Sequence, residues 1–247
     1  MQLDFNRPFG PKLPIDKLTT QQQIALLCRI LVKRGYSDDI AGHITATAGD
    51  GNLYVNPYGL PWDEVKASDI IKIDLDGNVV EGEYGVNPGV ELHLAMHRLS
   101  DEIAWVLHNH PEYGTVWADA ARIPPCYDQS SMYCGKVALV NEYGGSVDDI
   151  TEAGDVAKEL GADAEVAILA HHGVVVMGRS VEVITTRALS LELRCRNAWR
   201  AESIGAKTEI KTEIQERFGM AMGYMGFPGQ FEALVRRELR ADSKVLE

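Results

Sequence analysis

The stretch Ile103-Ala104-Trp105-Val106-Leu107-His108-Asn109-His110-Pro111 constrains the fold more than any other part of the chain. Its β-favouring apolar run reads as a buried strand, and Pro111, which lacks an amide hydrogen, stops it. Strand side chains alternate between faces, so His108 and His110 leave the strand end on one side. Two imidazoles on one face, where a sheet opens to solvent, are placed to share one divalent metal ion. Two ligands alone do not make a site. Taken in isolation, an H-x-H pair reads more simply as polar strand-end residues.

The flanking sequence supplies the frame for that strand. Residues 1–18 read as a loosely attached, proline-containing arm. Thr19 or Thr20 can cap a helix from about 21 to 33, with Ile24, Leu27, Cys28 and Leu31 on one face. Short β-like pieces at 42–47, 53–56 and 70–74 are separated by Gly, Asn and Asp turns, a spacing that predicts antiparallel pairing. Helices are expected over 89–100, 111–122 and 148–160, and strands over 136–140 and 166–170. Residues 174–178 either continue the preceding strand or turn back along it. A long amphipathic helix over 181–203 repeats Ile184, Ala188, Leu191 and Cys195 on one side. The tail from Gly205 onward is helix-prone. The architecture this predicts is α/β: a mostly antiparallel central sheet flanked by helices in a three-layer α/β/α arrangement.

Charge narrows the partners. The formal net charge is −12, which argues against nucleic acid and anionic membrane surfaces. No apolar run approaches the roughly 20 residues that span a bilayer. The first residues, Met1 to Pro8, lack a signal-peptide core. The four cysteines (Cys28, Cys126, Cys134 and Cys195) show neither CxxC pairs nor disulfide-dense spacing, so reduced thiols and a cytoplasmic location are expected. A small-molecule substrate is the expected partner.

A second buried-type strand, Val166–Ala170, runs into His171-His172-Gly173. Two strands that deliver imidazoles to the same sheet edge could complete a three-histidine site, which leaves a coordination position open for chemistry. At this point the residues resemble the class II aldolase/adducin family. The resemblance rests on His108-Asn109-His110 and His171-His172-Gly173, together with Gly42-His43-Ile44-Thr45, Val55-Asn56-Pro57-Tyr58-Gly59-Leu60-Pro61, Lys66 to Ile70 and the long helix after Gly178. It covers roughly 20–205 and implies a class II aldolase-like domain over 19–205. The tail, 206–247, then packs on that domain or on a neighbouring subunit. It also implies metal ligands His108, His110 and His172, with one divalent transition metal per subunit (zinc, manganese, iron or cobalt) and a homotetramer with sites at subunit interfaces. His171 precedes the matching position and reads as a polar neighbour.

The chain departs from the sugar-phosphate aldolases of that family where they hold phosphate. Their Ser-Ser-Glu stretch ends four residues before a helical histidine, here His93; the matching positions are Asn87, Pro88 and Gly89. Ile40-Ala41-Gly42-His43 replaces a second phosphate loop, and Asp128 stands where a mobile tyrosine is expected, with Tyr127 one residue earlier. The metal equipment persists without the phosphosugar equipment. The pattern resembles the family's dihydroxyphthalate and pyridine-dicarboxylate decarboxylases. It implies a metal-dependent, non-oxidative decarboxylase of a hydroxylated aromatic dicarboxylate, with His43 or Glu91 as acid/base. Asn56, Asn87, Tyr127, Asp128, Gln129 and Tyr133 are the expected substrate-pocket residues. Alternatives are an aldolase acting on an unphosphorylated hydroxy-keto acid or sugar, and a non-catalytic adducin-like assembly module. His93 and His97, one turn apart on a helix, could suggest a second metal, but such a pair reads more simply as one packed and one exposed histidine.

Overall fold

A computed structural model of the chain describes residues 17–141, 150–161, 163, 165–223 and 226–247. The expected N-terminal arm lies almost wholly outside the described residues, as does the expected helix start at Asp148.

Helix α1, Thr20–Val32, opens with a capping box. The Thr19 hydroxyl accepts from the Gln22 amide at 3.2 Å, and the Gln22 side chain accepts from the Thr19 amide at 3.1 Å. Strands β1 (His43–Thr47), β2 (Leu53–Val55), β3 (Ile71–Ile73) and β4 (Val79–Glu81) follow as an antiparallel meander. The sequence reading did not foresee β4, because its three residues are exposed and carry no burial alternation. Next come α2 (Val90–His97), β5 (Trp105–Asn109), α3 (Glu112–Asp119), β6 (Val137–Val140), α4 (Ile150–Leu160), β7 (Val166–Leu169), β8 (Gly173–Gly178) and α5 (Val181–Ser203). Helices α6 (Thr212–Gly223) and α7 (Gln230–Ala241) form the tail.

All eight strands join one sheet in the order β4-β3-β2-β1-β5-β8-β7-β6. Every pairing is antiparallel except β6 with β7, which α4 connects as a crossover. The segment 174–178, which could have extended β7, turns back as β8 and pairs with both β7 and β5.

Period-two alternation divides the core between the two faces. Trp105 and Leu107 of β5, Val174 and Val176 of β8, and Val166 and Ile168 of β7 bury against α1, α5 and α7. Their neighbours Val106, Val175, Met177, Ala167 and Leu169 bury against α2 and α4. The three layers are therefore set by alternation alone. The tail helix α7 is amphipathic and seats Phe231 and Val235 in the larger core. All four cysteines are free thiols and buried. Among the described residues, no helix is long and apolar enough to cross a membrane.

The same alternation decides where the polar residues of β1 and β5 go. Ile44 and Ala46 join the larger core, so His43 and Thr45 face α2. Val106 faces α2 as well, so His108 does too. The register pairs His43 directly with His108.

Candidate metal centre

Among the described residues, one group of three metal-ligating side chains comes together: His108, His110 and His172, whose ligand atoms all lie within 4.8 Å of one another. His108 is the penultimate residue of β5, His110 follows the strand, and His172 sits in the turn that joins β7 to β8. Ring centroids are 5.0 Å apart for His108 and His110, 4.6 Å for His108 and His172, and 4.8 Å for His110 and His172.

The partners behind these rings fix which nitrogen faces inward. Nδ1 of His108 donates to the Val174 carbonyl at 3.0 Å. Nδ1 of His110 donates to the Asp38 carboxylate. A metal-ligating histidine holds its outer ring N–H on a carbonyl or a carboxylate in this way, leaving Nε2 to the metal. Nε2 of His110 is buried and has no hydrogen-bond partner among the described residues. An orphaned imidazole nitrogen aimed at two others is costly unless a cation takes its lone pair, so the residues fit a divalent ion. Burial, reinforced by neighbouring His110 and offset by Asp38, holds His172 down to about 4. Burial pushes His108 well below its ordinary value. Neutral imidazoles are the form that binds metal.

The turn carrying His172 depends on Gly173. A Cβ added there would lie 2.5 Å from Cδ2 of His110 and 2.7 Å from the Asn109 carbonyl oxygen. One of these is rigid strand backbone, so the contact cannot be relieved by a side-chain turn. Gly173→Ala is expected to lower Tm by roughly 5 °C or more and to weaken metal binding at least about tenfold, read by calorimetry and metal titration. Unchanged values for both would contradict the geometry. His171 stands apart from the triad: it is exposed, occupies the left-handed region at φ 60°, and its amide donates to the Ala118 carbonyl at 2.9 Å.

His43 borders the triad, its ring 5.0 Å from that of His108, and it is only 2 % exposed. The loop before it is clamped from two sides. Asn56 accepts from the Ile44 amide at 2.7 Å and donates to the Gly42 carbonyl at 3.3 Å, and the Trp62 indole also donates to that carbonyl. Asn87 donates to the Ala41 carbonyl at 3.1 Å while accepting from the Gly89 amide at 2.9 Å. Both asparagines, expected in the substrate pocket, spend their amides holding this loop against α2. A Cβ added to Gly89 would lie 2.8 Å from Nε2 of His43. The imidazole therefore occupies the space that a side chain at position 89 would claim.

The other expected pocket residues have partners of their own. The Glu91 carboxylate reaches toward Gly77 in the β3–β4 turn, 3.8 Å from where a Cβ on that glycine would stand. Asp128 accepts from the Ser131 amide and hydroxyl and from Asn197, capping the 3-10 turn Ser130–Cys134. Tyr127 donates to the Ala206 carbonyl. Gln129 donates to the Tyr133 hydroxyl, and Tyr133 lines a cavity of about 510 Å³ with Arg34, Glu192 and Arg196, which no triad histidine lines.

The sequence reading does not foresee Asp38, and it gives Thr45, His93 and His97 no role there. Asp38 lies 72 positions before the histidine it supports and carries no spacing signal. Thr45, His93 and His97 had one: H-x-T on a strand and H-x₃-H on a helix each put their residues on one face. Burial depresses His93 strongly and holds His97 at about 4. The unfolded chain takes up protons at these groups near pH 6.5 and the folded chain does not. Stability is therefore full above that pH and falls as pH drops from 6.5 toward 4. The metal-free protein is expected to lose about 5–10 °C in Tm between pH 7 and pH 4.5, less in a His97→Asn variant. Equal melting at both pH values would refute this.

The model for the class II aldolase and adducin N-terminal domain matches residues 22–199. A Caulobacter vibrioides protein whose name places it with the class 2 aldolases is 29 % identical over 86 % of this chain and 88 % of its own length. The decarboxylase NovR of Streptomyces niveus is 25 % identical over 81 % of this chain and 76 % of its own. The solved L-fuculose 1-phosphate aldolase of Glaciozyma antarctica superposes with a TM-score of 0.79 at 18 % identity, covering 98 % of this chain and 97 % of that one. That last likeness is one of fold.

Proposed function

Because the chain belongs to the class II aldolase and adducin family, we propose that it is a metal-dependent carbon–carbon lyase, and that the bond it breaks joins a carboxylate to a hydroxylated aromatic ring. His108, His110 and His172 would hold one divalent cation. When bound, that cation supplies positive charge to the substrate's carboxylate and neighbouring hydroxyl oxygens. His43 carries the proton. As carbon dioxide leaves, the ring carbon keeps the bonding pair, and His43 returns a proton to it. One carboxylate and one proton thus become one C–H bond and one carbon dioxide.

The observation that carries this reading is the relation of Gly89 to His43. The acid/base glutamate implied by the aldolase resemblance has no side chain here, and an imidazole stands in its space. The sequence likeness to a decarboxylase supports the same direction. Glu91 is not given the role, since its carboxylate turns toward Gly77. We extend the proposal to a homotetramer with sites at subunit interfaces. The deciding experiment incubates metal-loaded enzyme with 3,4-dihydroxyphthalate-like acids and measures released carbon dioxide. Aldehyde formation from an unphosphorylated hydroxy-keto acid or sugar, with no carbon dioxide, would replace this reading with the aldolase one.

A further inference from the structure

From His43 through α2, four side chains and one carbonyl form an unbroken hydrogen-bonded line. Nδ1 of His97 lies 2.8 Å from the Ile103 carbonyl oxygen. Nε2 of His97 lies 2.8 Å from the Thr45 hydroxyl, and that hydroxyl lies 2.8 Å from Nδ1 of His93. Nε2 of His93 lies 2.8 Å from Nδ1 of His43.

The carbonyl at one end sets the direction of every bond. A carbonyl only accepts, so His97 carries its proton on Nδ1 and offers a lone pair at Nε2. The Thr45 hydroxyl has one hydrogen and gives it to that lone pair. It must then accept from His93, which carries its proton on Nδ1. Nε2 of His93 is left as an acceptor and takes the Nδ1 hydrogen of His43. By elimination, Nε2 of His43 bears no hydrogen and presents a lone pair beside Gly89.

We propose that Thr45, His93 and His97 are positioning residues that hold His43 in its Nδ1–H tautomer, with the Nε2 lone pair turned into the site. This rests on the reading of His43 as the proton carrier. The order of bonds holds only while the rings are neutral. Burial of His93 and His97 favours that condition. The consequence for the reaction is specific. Resting His43 is a base and not an acid, so it must collect a proton at Nε2 before it can deliver one to carbon. Packing alone would need only that each polar group be satisfied; this line also fixes which nitrogen of a neighbouring ring is bare.

The test is magic-angle-spinning ¹⁵N spectroscopy of the zinc-loaded full chain labelled at histidine, with His43 assigned by its loss in His43→Asn. The expected result is that His43, His93 and His97 are all protonated on Nδ1 at pH 7. Thr45→Ser keeps this pattern and the wild-type turnover. Thr45→Val frees His93 to reverse, moves His43 toward the Nε2–H form, and lowers kcat by about 10–100-fold with KM changed less than about threefold. His43 found as Nε2–H in the wild type would overturn the proposal, and so would an unaltered tautomer in Thr45→Val. If Thr45→Val does not fold, His97→Asn interrupts the same line, and the wild-type spectrum decides on its own. Should the tautomers be as expected while no carbon dioxide is released, the positioning role stands and the decarboxylase reading falls.

Discussion

Replacing His108 with asparagine is expected to strip the enzyme of its metal and reduce turnover by at least about a thousandfold. Nε2 of His108 faces the other two imidazoles because Nδ1 is committed to the Val174 carbonyl. Asparagine keeps a polar group at the strand end but cannot reach the position of Nε2. Losing one of three ligands removes several kcal/mol of binding and of charge stabilisation, and each 1.4 kcal/mol is a factor of ten. His110→Asn and His172→Asn should do the same, whereas His171→Asn should retain one metal per chain. The contrast between His171 and His172 is the sharper control, since the two are adjacent in sequence. At φ 60° position 171 suits asparagine, so that variant folds without added strain. Elemental analysis of the purified variants, alongside carbon dioxide release, measures both. A His108→Asn protein that retains a full equivalent of metal would sink the ligand assignment.

Part of this centre could be read from residue order, because strand alternation and one turn do much of the placement, though the family resemblance chooses His172 over His171. Alternation along β5 puts His108 on the α2 side with Val106, and the turn after β7 returns His172 to the same sheet edge. Neither inference needs a contact across more than one strand. What could not be read are relations that depend on register. The pairing of His43 with His108 follows from how β1 lies against β5, and a slip of one residue would have turned His43 away from α2. The pitch of α2 decides that His93 and His97, not Glu91, look at β1, and eight residues whose polar groups fall on more than one side gave no apolar stripe from which to infer it. The segment Tyr127 to Tyr133 is expected in the pocket from the resemblance and its place after Pro124-Pro125, and here the Asp128 oxygens accept from Ser131 and Asn197. The asparagine side chains have a structural use that their spacing did not announce. Asn56 and Asn87 have the chemistry of substrate contacts, but the backbone of an irregular loop must also find partners, and here it takes theirs.

The second large effect separates binding of the metal from transfer of the proton. His43→Asn is expected to lower kcat by roughly 10²–10⁴-fold, the usual worth of a general acid or base, while metal content and KM stay near wild type. Asparagine at 43 can still accept or donate one hydrogen bond toward His93, so the loop clamped by Asn56 and Asn87 should keep its place. What it cannot do is take up a proton and release it. If carbon dioxide release were equally slow in His43→Asn and His108→Asn, and both had lost metal, His43 would be a support of the metal site and not a proton carrier. If His43→Asn were fully active with metal bound, the proton would have to come from another group, and the space beside Gly89 would lose its chemical meaning. Introducing a carboxylate there sharpens the comparison. Gly89→Glu cannot simply restore an aldolase-like acid, because its Cβ would already stand 2.8 Å from Nε2 of His43. Combined with His43→Asn, the clash is relieved and the glutamate has room. The double variant is therefore expected to be more active than His43→Asn alone, and Gly89→Glu by itself less active than wild type. That reciprocal pattern arises only if the two positions compete for one place in the site, which is the relation on which the assignment of His43 depends.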